Sequence, residues 1–440
     1  MRIKCTNGTP IVDMLDHLPP LPLFVNYGHT RPRFSTRVLT EKDELGIYHA
    51  LRLPERVYHI DLELPPSILH KVMVLLDGQF PILEHLSLTF SASSENSLPL
   101  TLPKAFLAPN LRHITLPSIN PPRRLRFLTS TVLVKLVLSD IQTSSYFCPR
   151  LLATRLRSLP LLEELFVGFS VPIPRPSTER ELLGEPAAPV TLPSLKTLRF
   201  KGVGAYLESL VTQIRAPLLE RLEVTLFNQI AFALPRLSYL INITEAFKLP
   251  GVAVGFDCNE VYVTTVLRGS ERFDRGPFHL RVMCKQLDWQ IDCASQICHA
   301  LIPALSSAER LTLYYNHWDV TTEFQNGAID SATWHDLLRS FIGVQRLYID
   351  NRLLEELSGA LQVDEVGSDP GFQFKTQSVY RVYRYPSSRG SPSPVFTGLV
   401  LAGPGAEHGR RPVTSLRSKC PLLLEFLFIG LKMTGVCMIK

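Results

Sequence analysis

The sequence lacks the features that usually mark a secreted, membrane or metal-binding protein. Its eight cysteines are scattered without a Cys-x-x-Cys pair, and its first residues contain no apolar core of a signal peptide. We therefore expect an intracellular protein, cytoplasmic or nuclear, whose thiols stay reduced. Because Glu425 and Lys432 interrupt the apolar run near the C-terminus, we expect no membrane partner.

Long runs of one charge are also missing. The formal net charge is +6 over 440 residues, from 46 Lys and Arg against 40 Asp and Glu. The longest basic cluster, PPRRLR at 121–126, is too short to form an electrostatic footprint for a phosphate backbone. The sequence therefore predicts no nucleic-acid partner.

Enzyme signatures are absent as well. There is no G-x-S-x-G elbow, no G-x-x-x-x-G-K-[ST] loop, no H-E-x-x-H helix and no EF-hand loop. We therefore expect no enzyme, no cofactor, and no catalytic or metal-binding residue. A site assembled from single Asp, Glu or His residues stays open as an alternative.

What the sequence does contain is a repeat. LPLLEELFVGFS at 159–170 returns as CPLLLEFLFIGLK at 420–432, and both contain the strand pattern L-x-x-L-x-L. The pattern recurs ten times, as VYHIDL from Val57, LEHLSL from Leu83, LRHITL from Leu111, LVKLVL from Leu133, LEELFV from Leu162, LKTLRF from Leu195, LERLEV from Leu219, AERLTL from Ala308, VQRLYI from Val344 and LEFLFI from Leu424. It predicts an α/β fold, a right-handed leucine-rich-repeat solenoid with a concave parallel sheet and convex helices and loops.

The central aliphatic residue of each motif should point into the core, because side chains alternate between the two faces of a strand. The first seven are separated by about 22 to 33 residues, close to the period of this repeat class. They are Ile60, Leu86, Ile114, Leu136, Leu165, Leu198 and Leu222. In the wide gap that follows, VAVGF at 252–256 and HLRVMC at 279–284 are predicted to be two degenerate strands.

Several returns between strands have helical spacing. These are PSILHKVMVLL at 66–76, ASQICHALIPAL at 294–305 and ATWHDLLRSFI at 332–342. We divide the chain into an N-terminal capping segment (1–50), the solenoid (51–362), a Gly-, Ser-, Pro- and Arg-rich segment expected to be poorly ordered (363–419), and an apolar tail that forms a stray or terminal strand (420–440).

Five stretches together resemble the large fungal family of F-box-type leucine-rich-repeat proteins. They are NGTPIVDMLDHLPPLPLFVNY, HALRLPERVYHIDLELP, FPILEHLSL followed by LPKAFLAPNLRHITL, QLDWQIDCASQIC and FIGVQRLYIDNRLLEEL, within residues 5–362. The resemblance implies a substrate receptor, in which an F-box docks an adaptor of a cullin-based ubiquitin ligase and the repeats capture a protein target.

The F-box is expected before NGTPIVDML, where only a handful of residues stand. An adaptor is therefore expected as a partner only if an F-box is present upstream. The alternative is a stand-alone interaction scaffold, or a truncated product, with no ubiquitin-ligase role. In either case we expect a monomer that binds a protein target of unknown identity.

Outward strand positions supply the candidate binding residues, because the concave sheet is the usual binding surface of a solenoid. Arg and Tyr are favoured at binding hot spots, although exposed strand positions are polar in any case. The predicted contact residues are Arg199, Lys201, Arg221, Glu223, Arg310, Tyr314, Arg346 and Tyr348.

Two groups of possible metal ligands are interpreted without a metal. His59, His85 and His113 should stack on adjacent strands about 4.8 Å apart, which places the outer two too far apart for one ion. We interpret them as solvated strand residues. Cys293 and Cys298, with His299, do not share a helix face well, and QICHAL is interpreted as a core-facing turn.

Overall fold

The structure is a computed structural model of the 440-residue chain. The residues that it describes are 2–17, 19–28, 39–90, 100–122, 125, 127–172, 188–229, 231–248, 250–266, 276–284, 287–315, 331–341, 343–350, 353, 357, 379–384 and 395–400. The segment 420–440, predicted to be a stray or terminal strand, lies outside the described residues.

The chain is rich in short strands. They are β1 (Ile3–Cys5), β2 (Leu23–Tyr27), β3 (Val57–Leu64), β4 (His85–Phe90), β5 (His113–Pro117), β6 (Lys135–Ile141), β7 (Glu164–Phe169), β8 (Val190–Thr191), β9 (Thr197–Gly202), β10 (Ile214–Arg215), β11 (Arg221–Phe227), β12 (Gly251–Phe256), β13 (Glu260–Val266), β14 (Phe278–Met283), β15 (Arg310–Tyr315), β16 (Arg346–Asp350), β17 (Val379–Arg384) and β18 (Val395–Val400).

Helices lie between many of these strands. They are α1 (Ile11–His17), α2 (Glu41–Leu51), α3 (Pro66–Leu75), α4 (Pro149–Leu156), α5 (Gly204–Gln213), α6 (Pro235–Ile243), α7 (Leu287–Ala300), α8 (Ile302–Leu305) and α9 (Ser331–Arg339). Helices α3, α7 with α8, and α9 confirm the three helical predictions. In α3, Leu69 and Val72 are buried, as the helical spacing predicts. No helix among the described residues is long and apolar enough to cross a membrane.

Sixteen of the described strands form one sheet, and most neighbouring pairs are parallel. From β1 to β11 the order in the sheet follows the order in the chain, with β8 and β10 paired separately in a small sheet of their own. Strands β13 and β18 are antiparallel to their partners in the large sheet. The prediction of a mixed α/β fold is confirmed.

Strands β12 to β14 depart from the simple order. The prediction that VAVGF and HLRVMC are strands is confirmed, because they form β12 and β14. The sequence did not predict β13, which lies between them, nor that β14 rather than β12 pairs with β11. Only Asp257–Asn259 separate β12 from β13. A connection of that length joins antiparallel strands, whereas a parallel pair needs a longer crossover.

The seven central aliphatic residues lie opposite one another in a single row of the sheet. Ile60 pairs with Leu86, and the register continues strand by strand to Leu222. All seven are at most 1% exposed. Burying each such side chain contributes about 1.5 to 3 kcal/mol, so the row is a main source of stability.

The helices pack on one face of the sheet. Buried residues from all nine helices named above join the inward strand residues in one hydrophobic cluster. Outward residues of β3 to β11 are polar and partly exposed for the most part. We call this outward surface, on the side opposite the helices, the polar face.

Two parts of the large sheet lie outside the segment 51–362. Strands β1 and β2, within 1–50, extend it at one edge. Strands β17 and β18 extend it at the other edge, and they are the part of segment 363–419 that the structure describes. The composition of that segment predicts poor order.

Candidate protein-binding surface

Four of the predicted contact residues lie together on β9 and β11. Arg199 and Glu223 are opposite each other in the register, and the Arg199 Nε atom lies 2.9 Å from Glu223 Oε2. The Arg221 Nη1 atom lies 3.7 Å from the other oxygen of the same carboxylate. We call Arg199, Arg221 and Glu223 the arginine cluster. Its two arginines are about half exposed, whereas Glu223 lies largely beneath them, with 19% of its side chain accessible.

Lys201, the fourth of these residues, is bound within the protein. Its Nζ atom donates a hydrogen bond of 2.8 Å to Asp140 Oδ1. Asp140 has a φ of 54°, and the pairing of β6 with β7 shifts register between Leu138 and Ile141. Such a bulge re-aims side chains, and Asp tolerates the left-handed backbone. Lys201 therefore contributes little free charge to the surface.

An aromatic side chain lies beside the arginine cluster. The guanidinium carbon of Arg199 is 4.8 Å from the centre of the Phe166 ring, within the range of a cation–π contact. Val137 lies opposite Phe166 in the register and is likewise only partly buried on the polar face. The cluster thus borders a small apolar patch formed by Phe166 and Val137.

The other four predicted contact residues form a separate group on β15 and β16. Strands β14, β13 and β12 lie between β11 and β15. Four steps of about 4.8 Å place the two groups roughly 19 Å apart. Arg310 and Arg346 are register partners, and Tyr348 pairs with Thr312. The eight predicted contact residues are therefore divided into two separate groups.

Tyr314, in this second group, offers little surface to a partner. It is 6% exposed and joins Ala253, Tyr262 and Val266 in a small cluster on the polar face. The Tyr262 and Tyr314 rings are 5.4 Å apart, edge to face. A side chain at Gly255 would overlap with the Tyr262 ring, so this strand position requires glycine. Burial raises the pKa of Tyr262 far above its ordinary value.

The three histidines of β3 to β5 form a stack at the other end of the polar face. Phe24 of β2 lies on His59 with ring centres 3.9 Å apart, and His59 lies on His85 at 4.2 Å. His85 and His113 are 5.5 Å apart and tilted. We call these four residues the histidine ladder. Their positions on adjacent strands were predicted, whereas the contribution of Phe24 was not.

The histidine ladder is held in the neutral state. Burial lowers the pKa of His59 to about 3, and repulsion from His85, His113 and Arg2 adds to the effect. Burial is also the largest cause of the lowered pKa values of His85 and His113. Each neutral imidazole keeps one N–H donor and one acceptor nitrogen.

No group of three or more His, Cys, Asp or Glu side chains within the described part of the chain is arranged to hold a metal ion. The ladder rings face one another, so their nitrogens do not converge on one point. Cys293 and Cys298 are 4% and 0% exposed. A contact with Cys284 and burial raise the pKa of Cys293, and burial alone raises the pKa of Cys298. These thiols are therefore unreactive core residues.

The ion pairs of the polar face follow from the repeat itself. Aligning LKTLRF with LERLEV places Arg199 beside Glu223, and aligning LVKLVL with LEELFV places Lys135 beside Glu164. The second pair is 2.6 Å apart. Cross-strand pairing of opposite charges is the signal that could have found both contacts. The Lys201–Asp140 pair could not be found this way, because it depends on the bulge.

No protein-family model and no curated protein matches this chain.

Proposed function

We propose that this chain is a protein-binding module with the architecture of a leucine-rich-repeat solenoid, and that the polar face is its contact surface. The observation that supports this best is the single buried row from Ile60 to Leu222. The central residues of the first seven motifs lie in that row, and the helices named above pack on that side of the sheet. The other side of the same strands therefore remains free to bind a partner.

The kind of complex is proposed on the resemblance to F-box-type leucine-rich-repeat proteins. In that proposal the chain is similar to the substrate-recognition part of a receptor for a cullin-based ubiquitin ligase, and it contributes no catalysis of its own. An adaptor binds only where an F-box is present in the same polypeptide. The described cysteines are free thiols, which agrees with a place inside the cell.

Proximity labelling with the full chain in cells tests the contact surface. The variant Arg199→Glu/Arg221→Glu/Arg310→Glu should lose the partner proteins that the wild type labels, because it reverses charge at both groups of the polar face. The matched control is Arg157→Glu, a charge reversal at an exposed residue that ends helix α4 on the other side of the sheet. Unchanged labelling by the triple variant would move the contact away from the polar face.

The alternative is a stand-alone interaction scaffold without a ligase role. Recovery of the ligase adaptor with the full chain from cell extract separates the two. The receptor proposal expects the adaptor to be recovered wherever the expressed polypeptide includes an F-box. A polypeptide with an F-box that recovers no adaptor, yet still labels partners through the polar face, would favour the scaffold.

A further inference from the structure

The arginine cluster has unused binding capacity. Arg199 contacts Glu223 through Nε, and Arg221 reaches it through one Nη at 3.7 Å, longer than a hydrogen bond. Among the residues that the structure describes, Glu223 is the one carboxylate within ion-pair distance of Arg199. A guanidinium has five N–H donors, arranged to bind a carboxylate or phosphate with two parallel hydrogen bonds. Both arginine side chains are about half exposed to solvent.

The two side chains are also held in place. Glu223 lies 2.9 Å from Arg199 and 3.7 Å from Arg221, and Phe166 lies beside the Arg199 guanidinium at 4.8 Å. Ordering a free arginine on binding has an entropic cost, which contacts already present in the unbound protein reduce. The cluster is therefore better organised than an ordinary exposed arginine for binding an anion.

The charge of the cluster limits the kind of anion. Two guanidinium groups and one carboxylate leave a single net positive charge, and the nearby Lys201 is neutralised by Asp140. One carboxylate balances that charge. A phosphate ester is close to a dianion at neutral pH and would lie next to Glu223 with excess negative charge. The balance favours a carboxylate.

An apolar neighbour accompanies the anion site. Phe166 and Val137 are both half-buried and occupy adjacent strands next to Arg199. A side chain that covered them would exclude water from the guanidinium and strengthen its ion pair with an incoming carboxylate. A peptide can supply both groups, because residues i and i+2 of an extended segment point to the same side about 6.6 Å apart, between one and two strand spacings of about 4.8 Å.

We propose that the arginine cluster and its apolar neighbours bind an acidic segment of a partner protein, with an Asp or Glu carboxylate on Arg199 and Arg221 and an apolar side chain two residues away on Phe166 and Val137. This inference rests on the proposed protein-binding function and specifies the partner chemistry of the same face. It assigns recognition to strands β6, β7, β9 and β11 rather than to the second group on β15 and β16.

The test uses random peptides displayed on phage and selected on the immobilised full chain at low salt. Enriched peptides should contain Asp or Glu close to an aliphatic or aromatic residue. In fluorescence anisotropy with a labelled enriched peptide, Arg199→Glu/Arg221→Glu should lose about 100-fold in affinity, because each contact is charge-assisted. Arg199→Lys keeps the charge but lacks the planar fork, and should lose about 10-fold. Arg157→Glu should bind as the wild type does.

Changing the peptide tests the carboxylate itself. Replacing its acidic residues with Asn or Gln should weaken binding by about 10-fold or more, while the circular dichroism of every variant matches the wild type. Enriched peptides that keep their affinity as amides, or that bind Arg199→Lys as tightly as wild type, would overturn the proposal. A phosphoserine peptide that binds more tightly than the Asp or Glu peptide would overturn the carboxylate assignment.

These failures differ from a failure of the proposed function. Peptides that compete with partners for the polar face but need no acidic residue would leave the protein-binding function intact and remove only this inference. If no peptide is enriched, and proximity labelling is also insensitive to the triple charge reversal, both the function and the inference fail.

Discussion

The histidine ladder and the arginine cluster occupy equivalent outward positions of the same sheet, yet they behave as opposites. The ladder stacks neutral rings whose pKa values are lowered by burial. The cluster joins formal charges across neighbouring strands, where the arginines are about half exposed. One repeat geometry thus supports both an aromatic stack and an ion-pair network.

The comparison shows which properties belong to the scaffold and which to the side chains. The strands fix a spacing of about 4.8 Å between outward residues, and flat rings at that spacing stack while opposite charges pair. Stability contributed by the ladder should therefore respond to pH. Stability contributed by the cluster should respond to salt.

The largest effect is expected from removing the scaffold that both regions share. Leu198 is 1% exposed in the central row, and Leu198→Asp would bury a charge without a partner there. We expect a loss of about 4 kcal/mol or more in the free energy of unfolding, with loss of the ladder as well as the cluster. Circular dichroism and thermal melting measure it.

Thr197→Asp is the matched control for Leu198→Asp. Thr197 is the preceding residue of β9, lies on the polar face and is partly exposed. Because its side chain meets solvent, this change should alter the free energy of unfolding by less than about 1 kcal/mol. Equal effects of the two substitutions would show that β9 does not have one buried and one exposed face.

Much of this scaffold could be predicted from the sequence, because the information is local. The alternation in LKTLRF is enough to place Leu198 inward and Arg199 outward, and the structure places both so. The order of β12 to β14 could not be predicted. VAVGF and HLRVMC both have strand composition, but their partners depend on the short connection after β12 and on contacts distant in sequence.

The candidate site was predictable only in part, for a related reason. Register placed His59 and His85 on adjacent strands, but whether the rings stack depends on rotamers that the pattern does not contain. Similarly, Arg221 and Arg310 occupy the same position in consecutive motifs, which would make them neighbours. Three intervening strands separate them in the sheet. Local periodicity determines which face a residue occupies. Tertiary pairing determines its neighbours.

The next effect sharpens the comparison through pH. The folded-state pKa of His59 is about 3, below the ordinary value of about 6.5, so the unfolded chain takes up a proton first as the pH falls. His59 therefore lowers the free energy of unfolding increasingly as the pH falls below about 6.5. Well above that pH it has no such effect. His59→Phe keeps a ring between Phe24 and His85 but cannot titrate. When the pH falls from about 7.5 to about 4.5, the variant should lose less free energy of unfolding than the wild type does. The expected difference is on the order of 1 kcal/mol after solvent screening is taken into account.

Urea unfolding at the two pH values measures this difference. The control is His70→Gln, because His70 is an exposed residue of α3 outside the ladder. Its acid destabilisation should equal that of the wild type. If His59→Phe lost as much stability as the wild type on acidification, the ladder would not be the source of the acid sensitivity.

A smaller effect is expected from the charge network. Glu223→Gln removes the carboxylate that both arginines share and leaves two guanidinium groups on neighbouring strands without it. We expect a loss of about 0.5 to 1 kcal/mol in the free energy of unfolding at low salt, the usual worth of a partly exposed ion pair. The difference from wild type should shrink as NaCl rises from about 0.05 to 0.5 M, because the Debye length shortens. A difference that does not depend on salt would point to lost packing instead.

The smallest effect is expected from the contact between Arg199 and Phe166. The ladder joins rings and the arginine cluster joins charges, whereas this contact joins a ring to a charge. The guanidinium lies 4.8 Å from the ring centre and is about half exposed, so the coupling should be about 0.5 kcal/mol. A double-mutant cycle of Arg199→Ala and Phe166→Ala, measured by urea unfolding, isolates that coupling from the separate loss of the Glu223 pair. A coupling of zero would mean that Glu223 alone holds Arg199 in place. The geometry of the arginine cluster would then depend on charge only.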